Sequence, residues 1–100
     1  MRLRGGADLF LKEGNMNEER IGVVSHYFKH ISVAGIVLED ELSVGDMIHI
    51  KGYTSDFTQN VESIEVEHES LEKAKKGDDV GIKVKEHARE HDVVYKVLEE

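Results

Sequence analysis

The sequence predicts an all-β protein, built as a small closed barrel of six antiparallel strands. Short segments rich in β-branched and aromatic residues recur along the chain, short polar connections separate them, and no segment keeps a helical period over ten residues. Closure suits a chain of 100 residues, because a barrel leaves no strand edge free to aggregate. A hydrophobic fraction of 39% is enough for one core, and therefore for one domain.

The first three predicted strands follow from composition and alternation. Segments 20–28 ("RIGVVSHYF") and 32–39 ("SVAGIVLE") are rich in the residue types that favour strands. Segment 47–52 ("MIHIKG") alternates, with Ile48 and Ile50 on one face. These three segments therefore form the first half of the predicted barrel.

The last three predicted strands complete the barrel. Segment 56–69 is the longest, and its apolar parity slips between Val61 and Ile64, which predicts a bulge or a bend at a barrel corner. Segment 80–85 ("VGIKVK") alternates again, and segment 93–98 ("VVYKVL") closes the chain.

Two Gly-Asp pairs mark turns that lead into strands. In Gly45-Asp46 and Gly77-Asp78, a left-handed glycine followed by an aspartate that caps its own backbone suits a tight turn. Gly81 lies inside a strand, where it permits close backbone packing or a bend. We assign all five residues a structural role.

Residues 1–19 differ from the rest of the chain. They show neither a period of two nor a helical face, and two glycine-containing breaks interrupt them. We expect a flexible N-terminal tail over 1–19 and the barrel over 20–100. An ordinary frayed terminus is one alternative, and a natural chain that starts at Met16 is another.

Composition narrows the classes of function. A net charge of −8 works against undirected attraction to nucleic acid, whose phosphates require a positive surface. Cysteine is absent, so disulfides and thiolate metal ligands are excluded. No apolar stretch approaches the length of a membrane span. We expect a cytoplasmic protein without a membrane partner.

Two longer motifs carry a family resemblance: "LSVGDMIHIKG" (42–52) and "AKKGDDVGIKVK" (74–85), the second preceded by "VESIEVEHESLE". With "RIGVVSHYF", they resemble domain 2 of the translational GTPases, the small β-barrel that follows the G domain in elongation factor Tu. The resemblance covers about residues 20–98 and implies a barrel of the translation-protein type. The chain has no G-x-x-x-x-G-K-[ST] loop, so neither GTP binding nor any other cofactor is expected.

The resemblance also implies partners in translation. In elongation factor Tu this barrel helps to clasp the aminoacyl end of tRNA, and the matching positions here would be Glu65, Asp79 and Lys85. The acidic residues that flank Glu65 would repel phosphate. We therefore expect a protein or ribonucleoprotein partner, with tRNA or rRNA as a further option.

Four further residues are candidates for partner contact. Lys83 and Arg89 belong with Lys85 to a basic surface that Lys75 and Lys76 extend if the barrel gathers them. Solvated lysines paired with neighbouring carboxylates are the alternative. Tyr53 and Phe57 bracket the "YTSDF" loop, where an exposed aromatic serves a partner, or where both rings plug an end of the barrel.

The segment "HAREH" (87–91) matches H-x-x-E-H, a zinc-binding signature of one class of metalloprotease. That chemistry requires His87 and His91 on one helix face and a third ligand from elsewhere. The segment lies between two predicted strands, and only nine residues follow it. We interpret it as a charged connection and expect no metal and no catalytic residue; a metal-dependent hydrolase remains only as a test case.

These observations lead to two hypotheses on function. The first is a non-catalytic, translation factor-like binding module that contacts a translation component. The alternative is an accessory protein-interaction barrel that acts with a separate enzyme such as a peptidase. This chain also resembles barrels that are appended to other protein families, including a group of peptidases.

Overall fold

A computed structural model describes residues 17–98, and over this range the chain forms ten strands and no helix. In chain order the strands are β1 (Glu18–Phe28), β2 (Val33–Leu38), β3 (Leu42–Ser43), β4 (Met47–Lys51), β5 (Asp56–Asn60), β6 (Ile64–Val66), β7 (Glu69–Leu71), β8 (Lys73–Ala74), β9 (Asp79–Lys83) and β10 (Val93–Val97). The all-β prediction is confirmed. No helix in this range is long and apolar enough to span a membrane.

The predicted strands reappear with different boundaries. β1 begins at Glu18, two residues before the first predicted strand, and the predicted tail up to position 16 lies outside the described residues. The long segment 56–69 divides into β5, β6 and the first residue of β7. The predicted parity slip between Val61 and Ile64 is therefore a break in the strand and not a single bulge. The short strands β3 and β8 were not predicted.

The strands form two antiparallel sheets. Eight strands are ordered β5-β4-β10-β1-β2-β9-β6-β7, and β3 pairs with β8. Neither sheet is closed by its backbone pairing, so the predicted closed six-stranded barrel is not confirmed.

One apolar core holds these strands together. The inward-facing positions alternate as expected: Val80 and Ile82 in β9 and Val84 beyond it are buried, while Lys83 and Lys85 are exposed. The largest fully buried side chains are Ile21, Ile36, Leu38, Leu42, Ile48, Ile50, Ile64 and Ile82. Burying such side chains is the main favourable term in folding a domain of this size.

The long strand β1 bends where its register shifts. The shifts lie between Arg20 and Gly22 on the β10 side and between Val24 and His26 on the β2 side. A Cβ at Gly22 would lie 2.8 Å from the Val37 carbonyl oxygen, so only glycine allows this close approach. The bend lets β1 pair with both neighbours while its apolar residues stay in the core.

The two Gly-Asp turns have the same geometry. Gly45 has a φ of 99° and Gly77 a φ of 94°. The Asp46 carboxylate accepts the N–H of Ser43 at 2.9 Å, and the Asp78 carboxylate accepts the N–H of Lys75 at 3.0 Å. In both turns the aspartate N–H donates back to the carbonyl of the residue that its carboxylate caps, Ser43 or Lys75.

Candidate interaction surfaces

The "HAREH" segment contains a third turn of this kind. The Asp92 carboxylate accepts the N–H of Arg89 at 2.9 Å, and the Asp92 N–H donates to the Arg89 carbonyl at 3.1 Å. His91, with a φ of 77°, occupies the left-handed position that glycine fills in the other two turns. The segment is therefore a turn between β9 and β10 and not a helix.

This turn separates the two histidines of the motif. The ring of His87 stacks on Tyr27, with centroids 4.4 Å apart. Ala88 is buried in the core, and the His91 backbone N–H donates to the Val24 carbonyl at 2.9 Å. Over residues 17–98, no three His, Asp or Glu side chains are grouped so that they could hold a metal ion.

A shallow cavity of about 420 Å³ lies beside this turn. Its basic lining residues are His26, Lys29, His87 and Arg89. Glu90 lies 3.2 Å from His26, and the Arg89 guanidinium donates to the Thr54 hydroxyl at 2.8 Å. Arg89 thus ties this cavity to the loop that follows β4.

A larger cavity of about 550 Å³ lies between β5 and β9, and we call it the seam. Its lining residues are Met47, Thr58, Gln59, Asn60, Glu62, Lys83, Val84 and Lys85. Among the described residues no backbone ladder joins β5 to β9. The connection is made by the Gln59 side chain, whose Nε2 donates to the Lys83 carbonyl at 2.8 Å and whose Oε1 accepts the Lys85 N–H at 2.8 Å.

A partly buried histidine ties β4 to the strands beside it. His49 places Nδ1 at 2.7 Å from a Glu18 carboxylate oxygen and Nε2 at 2.6 Å from an Asp56 carboxylate oxygen. Burial alone would lower the pKa of His49, but the hydrogen bonds to Asp56 and Glu18 and their charges outweigh it and raise this pKa. The hydrogen bond from His49 lowers the pKa of Asp56. This arrangement favours a doubly donating imidazolium.

The residues predicted to contact a partner lie in different depressions of the surface. Lys83 and Lys85 lie together at the seam, whereas Arg89 lines the cavity beside the turn. Glu65 and Asp79 line a third depression of about 270 Å³, which also includes Gly81.

The two aromatics of the "YTSDF" loop have different environments. Tyr53 is fully exposed, while Phe57 is only 6% exposed and belongs to the core. Of this pair, only Tyr53 is available to a partner. The reason is strand parity, because Phe57 lies on the inward face of β5.

The roles of Gln59 and His49 were not predicted from the sequence. Both are polar residues at partly buried positions in strands that the sequence predicts. The only available signal was a long polar side chain beside inward-facing apolar positions, which is too common to single out either residue.

No protein-family model matches the chain. The chain is 41% identical over 91 residues to an uncharacterized protease of Methanocaldococcus jannaschii, a match that covers 87% of this chain and 22% of that protein. It is 40% identical over 78 residues to a collagenase of Porphyromonas gingivalis, covering 76% of this chain and 22% of the collagenase. The chain thus spans about a fifth of the length of these curated relatives.

The solved structures agree with these relatives. The C-terminal domain of a putative U32 peptidase of Geobacillus thermoleovorans superposes with a TM-score of 0.74 and 26% identity, covering 78% of this chain and 91% of that one. The selenomethionine variant of the same domain gives a TM-score of 0.73 and covers 96% of that chain. This chain is similar to one whole domain of a U32 peptidase.

The comparisons overturn the predicted role in translation. The relatives are named protease and collagenase, and the matching domain belongs to a U32 peptidase, so the expected translation partner, protein or RNA, is wrong. The misleading motifs are the Gly-Asp turns and the alternating strand that follows each. Backbone geometry alone accounts for these motifs, so they report a fold and not a ligand.

Proposed function

We propose that this chain is a non-catalytic accessory domain that acts together with a peptidase. One observation carries the proposal: the chain matches 91% of a solved C-terminal domain of a U32 peptidase, yet only about a fifth of relatives named protease and collagenase. Most of each relative therefore lies outside the part that resembles this chain. A cytoplasmic location remains part of the proposal.

The contacts of several acid–base side chains support a non-catalytic role. Both ring nitrogens of His49 face carboxylates, and the His87 ring stacks on a tyrosine. The carboxylates of Asp46, Asp78 and Asp92 each accept a backbone N–H in a turn. A general base needs a free atom within reach of a substrate proton, and these groups are committed to structure.

We also propose that six strands form a barrel that a side chain closes. From one end to the other these strands are β5, β4, β10, β1, β2 and β9, and Gln59 joins the two ends. Towards the segment 83–85 the Gln59 side chain presents one N–H donor and one C=O acceptor, as a peptide group would, which supports its role in place of a backbone ladder.

Two assays test the accessory role. The purified chain is first incubated with gelatin and with fluorescent casein, and we expect no hydrolysis. Next, the matching 78-residue segment of the Porphyromonas gingivalis collagenase is deleted, or replaced by this chain, and collagen cleavage is measured. The deletion should reduce cleavage, and the replacement should restore at least part of it.

Other outcomes would contradict the proposal. Hydrolysis by the isolated chain, if it persists through purification and disappears on unfolding, shows that the chain is itself an enzyme. A deletion that leaves collagen cleavage unchanged shows that this domain contributes nothing to the peptidase.

A further inference from the structure

At the seam, backbone groups of the segment that leaves β9 bond to a side chain and not to a strand. The Val84 N–H donates to the Ser32 carbonyl at 2.9 Å, on the β2 side. The Lys83 carbonyl and the Lys85 N–H point the opposite way, as alternation in an extended chain requires, and there they meet Gln59. β6 pairs with β9 only through Glu65 and Gly81, so no strand of residues 17–98 pairs with this edge at Lys83 and Lys85.

Gln59 fills this edge as an intramolecular ligand. To Lys83 and Lys85 its carboxamide presents one N–H donor and one C=O acceptor, which are the groups that a neighbouring strand would present there. The same Nε2 also donates to the Asn60 carbonyl at 3.2 Å. An incoming strand that displaced Gln59 would replace the two hydrogen bonds at Lys83 and Lys85 by two others, while the displaced amide bonds to water, so the net cost is small. A cavity of about 550 Å³ falls in the range of ordinary ligand sites.

The side chains of the seam indicate the composition of such a strand. Lys83 and Lys85 are exposed on one face, neither forms an ion pair among the described residues, and Glu62 is the acidic residue of the lining. Between the lysines, Val84 faces inward beside Met47. Cross-strand neighbours share a face, so the partner residues should read acidic, apolar, acidic.

We propose that the seam binds an extended polypeptide segment with acidic residues at alternate positions and an apolar residue between them. The segment adds a strand to the edge at Lys83 and Lys85 and displaces the Gln59 side chain from it. This is β-strand addition, in which the main chain supplies affinity and alternate side chains supply specificity. The inference goes beyond the accessory role and does not depend on it, because the isolated chain suffices to test it.

The test is fluorescence polarisation with a labelled peptide, Thr-Glu-Val-Glu-Thr, and the full chain. K83E/K85E should weaken binding about tenfold, because two favourable cross-strand charge pairs become repulsive. The matched control K75E/K76E makes the same change in net charge on an exposed lysine pair away from the seam and should leave binding within about twofold. Gln59→Ala should tighten binding a few-fold, because it removes the competing amide. Circular dichroism verifies that each variant is folded.

A second measurement tests strand addition independently of these variants. The same peptide, N-methylated at its three central residues, keeps its charges but loses its N–H donors, and it should bind at least about fivefold more weakly. In heteronuclear NMR, the unmodified peptide should shift the backbone amide of Lys85 and leave that of Lys75 unchanged.

Several results would overturn the inference. No binding at millimolar peptide excludes the site. Equal binding of the N-methylated peptide, or equal weakening by K75E/K76E, reduces the effect to general charge attraction. Displacement of the peptide by polyphosphate of equal charge, at equal concentration, shows that the site recognises anions and not a strand. Failure of the collagenase replacement would leave these binding results standing, so the two proposals fail separately.

Discussion

At the scale of single residues, the turn at His91 shows how one fold element accepts different sequences. Three turns use the same aspartate cap, yet two place glycine and one places histidine at the left-handed position. A residue with a Cβ is strained there by about 1–2 kcal/mol, while glycine loses more chain entropy on folding, about 0.5–1 kcal/mol. The turn beside β10 therefore forms at a cost that the other two avoid.

His91→Gly should raise the free energy of unfolding by about 0.5–1 kcal/mol, because glycine removes the strain and keeps the backbone N–H that bonds to Val24. Urea unfolding followed by circular dichroism measures the change. The converse control, Gly77→Ala, places a Cβ at the same position of another turn and should destabilise by about 1 kcal/mol. A less stable His91→Gly protein would contradict this account.

The raised pKa of His49 predicts a pH dependence of stability. The imidazolium donates to Glu18 and Asp56, so its contribution is fully present below the unfolded pKa of about 6.5 and is lost as pH rises through the folded pKa. Asp56 limits the stabilising pH range on the acid side. Because the folded pKa of Asp56 is lowered, the contribution of its carboxylate to stability is lost as pH falls through that pKa.

The comparison is between the unmodified chain and His49→Gln, unfolded with urea at pH 6.0, 7.5 and 9.0. The difference in unfolding free energy should be about 1–2 kcal/mol at pH 6.0 and should shrink by pH 9.0. His30→Gln changes an exposed histidine and serves as the control. A difference that stays constant with pH would assign His49 a packing role instead.

At the scale of elements, the sequence predicts strands better than it predicts their connection. The alternation in β4 and β9 reports a periodic contact with the core, and such a signal is local. The relation between β5 and β9 depends on one hydrogen-bonding side chain, and no local pattern encodes the distance between two strand edges. The parity slip indicated that the strand in segment 56–69 is interrupted. It did not indicate how many residues separate β5 from β6.

Gln59→Ala tests the proposed closure between β5 and β9. The substitution removes hydrogen bonds to the Lys83 carbonyl and the Lys85 N–H, so it should lower the free energy of unfolding by about 1–3 kcal/mol. Thr58→Ala, at an exposed neighbouring position of the same strand, is the control and should change it by less than about 0.5 kcal/mol. Equal effects of the two substitutions would mean that Gln59 does not join the strands.

At the scale of the whole molecule, the chain corresponds to one complete solved domain, and the sequence pattern of such a domain indicates its fold without indicating its function. The buried core requires only a pattern of apolar positions and turns, and unrelated functions share such patterns. The seam is lined by Lys83 and Lys85 and lies where no described strand pairs with the end of β9. It becomes visible only when segments that are distant in the sequence are placed together in the fold. The role in translation was therefore inferred from features that serve folding.

The final prediction concerns the extent of the folding unit, and it tests the expected tail. Among residues 17–98, every residue of the buried core lies between Ile21 and Val94, and the Leu98 N–H donates to the Asn17 carbonyl, so the two ends of this range are held together. A chain of residues 17–98 should therefore unfold in one cooperative transition, with a free energy within about 0.5 kcal/mol of that of the full chain. Circular dichroism and tyrosine fluorescence should report the same urea midpoint. Loss of folding, or two separate midpoints, would show that residues 1–16 belong to the domain.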